Sequence, residues 1–150
     1  MPSKLQASEL WDFSLACYAR NKAVLHWLQD QAQLNINLLL AAMWLNRQGI
    51  AVSRSQWQEV IQAIRQEAQQ VVQRRAARLA LARQSSAYQQ ALSSELAAEK
   101  RHQQQLVAQL NRLAIAKVSR ADNLPACTLA QLNEFPPAVA AQLASLQPPE

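Results

Sequence analysis

Glu95, Glu99 and His102 occupy positions i, i+4 and i+7 of one helical stretch, so all three can project from the same face. Glu99-Lys100-Arg101-His102 is a Glu-x-x-His motif, the unit that di-iron helical bundles repeat on facing helices. That chemistry needs further carboxylates and a second histidine motif. The other histidine, His26, has only Asp30 one turn away. The metal reading therefore rests on Glu95, Glu99 and His102, and the ordinary alternative is a polar seam between helices. No cofactor motif accompanies it.

Asp12 lies between Trp11 and Phe13, where aromatic shielding would raise a carboxylate's pKa and local pairing or capping would not. Asn35 and Asn37 flank the start of a strongly apolar segment. They can hold a small ligand, or they can satisfy the free N–H groups of a helix start. Asp12, Asn35 and Asn37 together form the candidate ligand site. Arg65, Arg74, Arg75, Arg78 and Arg83 load one helix with positive charge against Glu67, which suits phosphate contact. Arg74 and Arg78 share a face with Arg75 beside them, whereas Arg65 and Arg83 need not. No aromatic side chains interleave for base stacking.

Other chemistry is excluded by composition. The 150 residues include a single glycine, so no glycine-rich phosphate loop can be built. Two cysteines, Cys17 and Cys127, stand far apart without a Cys-x-x-Cys pair and read as buried free thiols. The apolar run Leu38–Leu45 falls well short of the ~18 residues of a membrane span, and the first residues lack a signal-peptide core. A cytoplasmic protein without membrane insertion is expected. The net charge of +5 permits nucleic-acid contact without requiring it.

The elements that must position these residues are helical. Ala, Leu and Gln dominate, half the residues are hydrophobic, and β-branched residues are few. The predicted fold is all-α: about five main helices, a long antiparallel hairpin, and short C-terminal helices. Ser8 caps a first helix to Arg20, and Asn21 caps a second from Lys22 to Ala32. A third, from Asn37 to Gln48, is apolar all round and therefore central, with Gly49 as its terminator. Ser53-x-x-Gln56 is a capping box opening a fourth helix to about Ala82. Gln84-Ser85-Ser86 is a turn, and a fifth helix runs from Ala87 to Val118. Thr128-x-x-Gln131 is read as a second capping box for a short helix to Phe135. Pro137 starts a last short helix, and Gln147–Glu150 is expected to fray. The division is residues 1–118 as one helical domain, with a tryptophan-rich core at 8–50 and the hairpin at 53–118, and residues 119–150 as an extension.

Leu10-Trp11-Asp12-Phe13-Ser14-Leu15 with Tyr18 and Arg20 resembles the opening signature of a proteobacterial family of short helical proteins known as a domain of unknown function. Asn35-Ile36-Asn37-Leu38-Leu39-Leu40 with Trp44 is similar to that family's Asp-x-Asn-Leu-Leu-Leu-x-x-x-Trp, with Asn35 in place of Asp. Glu95-Leu96-Ala97-Ala98-Glu99 resembles its later Glu-Leu-x-x-Glu. The resemblance covers about the first 110 residues and implies a helical bacterial cytoplasmic protein, with no catalytic residue to carry over. The expected function is a non-enzymatic interaction or adaptor module, acting on a protein partner or on itself. Nucleic-acid or ribosome binding through the arginines is the first alternative, and ligand or metal binding the second.

Overall fold

In a computed structural model, residues 4–113 and 116–149 are described. They form seven helices and one two-stranded ribbon: α1 (Ala7–Asp30), α2 (Ile36–Gln48), β1 (Ile50–Ala51), α3 (Arg54–Ala63), α4 (Arg65–Leu79), α5 (Ser86–Arg112), β2 (Ala116–Lys117), α6 (Leu124–Leu132) and α7 (Pro137–Ala144). The all-α class stands. No helix among the described residues is long and apolar enough to cross a membrane.

α2 is the centre. Leu38 through Leu45 are buried on every side, because α1, α5 and α6 all pack against this helix. Its ends are fixed as its residues dictate. Asn35 Oδ1 accepts from the Asn37 N–H at 3.0 Å, and Gly49 ends the helix at φ +67°. A Cβ at Gly49 would stand 2.8 Å from the Val118 carbonyl oxygen, so this position needs glycine for space as well as for backbone angle. Gly49 leads into β1, which pairs antiparallel with β2 through Ile50 opposite Lys117.

Several boundaries differ from the sequence expectation. α1 starts at Ala7, so Ser8 is inside the helix, and Asn21 does not cap a separate one. Two helical stretches do meet at Asn21, as expected, but at a kink (φ −125°, ψ 20°) where its amide donates back to the Cys17 carbonyl at 2.8 Å. The expected fourth helix is two, broken at buried Ile64 (φ −109°, ψ 17°). The break lets α3 pack on α6 while α4 leaves along α5. The capping box at Ser53 and Gln56 is present, and Ser85 caps α5. α5 stops at Arg112 rather than Val118, because the chain must turn to pair β2 with β1. Ala114 and Ile115, expected within that helix, lie outside the described residues.

Thr128 and Gln131 do not form a capping box. α6 begins earlier, with Pro125 in its first turn, and Thr128 is buried mid-helix. Pro137 does open α7. The expected fraying of the tail is replaced by a clasp. Asn21 Nδ2 donates to the Gln147 carbonyl at 2.7 Å, and the Gln147 N–H donates to Asn21 Oδ1 at 2.8 Å. Arg47 donates to the Pro149 carbonyl. Glu150 lies outside the described residues.

Asn123 holds the turn before α6 against the end of α2. Its Oδ1 accepts from the Val52 N–H at 2.8 Å, and its Nδ2 donates to Asn46 Oδ1 and to the Ile50 carbonyl, each at 2.8 Å. It is only 1% exposed. Replacing Asn123 with Ala strands these buried backbone groups and should cost about 2–4 kcal/mol. Urea unfolding of Asn123→Ala beside the parent chain measures this, and a loss below about 1 kcal/mol would contradict it.

Candidate functional site

Two polar clusters sit on α5, and they divide the sequence candidates differently from the expectation. The first centres on His102, which is fully buried where α5 crosses the entrance of α2. Asn37 approaches its Nδ1 at 3.0 Å and Asn35 its Nε2 at 3.4 Å. Gln103 joins Asn37 at 3.1 Å to Ser14 of α1 at 3.0 Å. At the far end, the Asn35 N–H donates to Gln131 Oε1 of α6 at 2.8 Å. One polar chain thus runs from α6 through α2 and α5 to α1.

The direction of these bonds follows from the ring. With Gln103 Nε2 donating to Ser14 and Asn37, Gln103 Oε1 is buried without a partner among the described residues, and both His102 nitrogens face amide nitrogens. A neutral imidazole has one donor and one acceptor. The cap commits Asn35 Oδ1 to the Asn37 N–H, so the Asn35 amide nitrogen donates to His102 Nε2. Nδ1 then carries the proton and faces the Asn37 side-chain amide. Burial pushes the His102 pKa down to about 4, from an ordinary 6.5.

The second cluster locks α4 to α5. Buried Glu95 accepts from Arg75 Nε at 3.3 Å and from Arg78 Nε, and Glu99 accepts from Arg75 Nη2 at 3.4 Å. Arg78 also donates to the Tyr88 hydroxyl at 2.9 Å, and its hydrogen bond to Glu95 holds its guanidinium charged more firmly still. Burial pushes the Glu99 carboxyl up, against the pull of Arg75. Glu95 and Glu99 therefore face the arginines while His102 faces the asparagines. Among the described residues no group of three or more His, Cys, Asp or Glu side chains can hold a metal ion.

The arginine candidates separate in the same way. Arg75 and Arg78 turn inward to the glutamates, and Arg65, Arg74 and Arg83 are exposed. Asp12 is exposed as well and makes no hydrogen bond to Asn35 or Asn37; it lines a shallow cleft of about 240 Å³ with Trp11, Lys100 and Gln103. The Lys100 ammonium covers the Trp11 ring at 5.1 Å from its centroid. Both cysteines are buried, and burial raises both thiols, Cys127 to about 12. They are poor nucleophiles.

A family of proteins of unknown function (DUF2390) matches residues 9–106. The chain belongs to this family. No curated protein and no solved structure matches it. The matched span of this family member contains α1 through most of α5, and with them both polar clusters except Gln131.

That span also carries an apolar outer face. Val72 and Leu79 flank Arg75 on α4 at helical spacing and are 61% and 66% exposed. Leu96 precedes Glu99 on the flank of α5 that presents Lys100 and Gln103 to α1, and it is 43% exposed. Leu15 of α1 is 58% exposed and lies one turn from Tyr18, whose hydroxyl feels the Glu99 and Arg75 charges. Because Arg75 binds Glu99, Val72, Leu79 and Leu96 share one side of the hairpin.

Two outcomes follow. Arg74→Glu should leave stability within about 0.5 kcal/mol, whereas Arg78→Glu sets a carboxylate against Glu95 and should cost about 2–4 kcal/mol by urea unfolding. Equal effects would contradict the inward placement of Arg78. For His102, the unfolded chain takes up a proton below about 6.5 that the folded chain refuses until about 4. Stability should therefore fall as pH drops through that window, by about 3 kcal/mol in full. Glu99 works in the opposite sense, so the readout is the difference from His102→Gln, which should lose this slope. Parallel pH profiles of the two proteins would refute it.

Proposed function

We propose that this chain is a non-enzymatic protein–protein interaction module and that the outer face of the α4–α5 hairpin is its contact surface. The observation that carries this reading is the exposure of Val72, Leu79 and Leu96 on one side of that hairpin, with Leu15 of α1 exposed as well. Exposed aliphatic side chains gathered on one face cost solubility unless a partner covers them. The hairpin is well suited to present them. α4 packs chiefly on α5, leaving its other faces to solvent, and the Arg–Glu lock keeps the two helices rigid. A rigid, preformed face binds with little ordering cost.

The polar chain around His102 serves a different purpose in this reading. It is buried and joins four helices, so it orients α5, and α5 carries the face. Asn35, Asn37 and His102 act as supports, with no role in chemistry on a substrate.

A photo-reactive amino acid placed at Val72, Leu79 or Leu96 in cells of the native source should give a discrete adduct larger than this chain. The same probe at exposed Glu59 of α3 or Glu134 should give none. Absence of adducts at all three face positions, or equal adducts at the controls, would overturn the reading.

A further inference from the structure

The net charge of this chain resides in the same hairpin. Residues 65–112 contain eight Lys and Arg against three Glu, a net +5. The remaining residues contain seven basic and seven acidic side chains, a net of zero. Two of the three hairpin glutamates, Glu95 and Glu99, are engaged by Arg75 and Arg78. No carboxylate of α4 or α5 other than Glu67 is left outside that lock.

The cations also continue the apolar stripes. Arg65, Val72 and Leu79 recur every seven residues along one line of α4. Leu15 and Lys22 repeat that spacing on α1, and both are exposed. Arg83 follows just past the end of α4 and is exposed too. The result is an aliphatic strip ended by positive charge. We infer that this strip takes an amphipathic helix of another protein, apolar at i, i+3 and i+7 and flanked by Asp or Glu. This rests on the interaction reading above.

Charge complementarity selects this occupant. A second copy would bring two hairpins of net +5 against one another, so self-association is opposed over the Debye distance of about 8–10 Å. A nucleic acid needs cations gathered on one polar surface. Here Arg74 sits about 200° around the helix from Val72, on the flank where Arg101 reaches Gln70 at 3.5 Å. The strip itself offers aliphatic carbon, which phosphate does not bind. An acidic amphipathic helix uses both the carbon and the end charges.

The test uses the full chain and fluorescent peptides of roughly 20 residues with identical leucine spacing, flanked either by Glu or by Lys, along with a duplex RNA of similar length. By anisotropy at low salt, the Glu peptide should bind at least about tenfold tighter than the Lys peptide, a gap that closes as salt rises. The neutral surface variant Val72→Ser/Leu79→Ser should lose about tenfold in affinity with unchanged thermal unfolding, and Arg74→Glu should change little. Equal binding of the two peptides, duplex RNA that displaces the Glu peptide, or a dimer by light scattering that the double variant dissolves would each overturn the inference. Adducts at Val72 and Leu79 in cells, together with no preference for the Glu peptide, would remove the acidic-helix partner and leave the interaction module standing.

Discussion

A neutral histidine in the middle of the molecule governs the arrangement of the helices around it. His102 has no water to turn to, so its two nitrogens must find one donor and one acceptor inside the protein. The cap of α2 decides which is which, because Asn35 can spare only its amide nitrogen. That choice leaves the proton on Nδ1, against the Asn37 amide, which Gln103 links on to Ser14. A hydrophobic core of leucines tolerates sliding and rotation between helices at modest cost. A directional chain of amides does not, and it fixes α1, α2, α5 and α6 in one register.

The second polar cluster has the complementary task. α4 has little core of its own, with Val71 as its buried residue, and its stripe of alanine and glutamine would hold it weakly. Glu95 supplies what apolar area does not, by engaging two guanidinium groups at once. The cost is the removal of Arg75 and Arg78 from the surface. The helix that looks most suited to phosphate in one dimension is thus partly an internal scaffold in three. What it leaves outside is a mixture of aliphatic and cationic side chains with a definite polarity along the helix.

Much of this was legible in the sequence because the signals were local. The all-round apolar run Leu38–Leu45, Gly49 after it, and Ser53 with Gln56 each specify a structure by their own chemistry. The hairpin turn at Ser85 follows the same logic. The errors came where a residue's partner is distant. Asn21 looks like a cap until Gln147 meets it, and Thr128 looks like a cap until α6 is seen to begin at Leu124. Asn35, Asn37 and His102 were singled out, but for two separate sites, since nothing in one dimension brings residue 37 to residue 102. Gln103 was missed altogether because it sits beside Gln104 and Gln105, which are exposed and chemically identical. Only the α1 and α2 surfaces distinguish it.

The clasp between Asn21 and Gln147 has a consequence for the order in which the chain acquires its shape. Most helical proteins of this size are built from neighbours in sequence and fold quickly for that reason. Here the kink of the first helix is satisfied by a segment 126 residues away, and the turn after β1 by Asn123. During synthesis, α1 and α2 emerge well before the residues that complete them. Their buried amides and apolar faces must wait, exposed, for α5, α6 and the tail. The late-made segment therefore acts as the closing stitch of an otherwise local fold, and the interval before it arrives is when this protein is most open to misassociation.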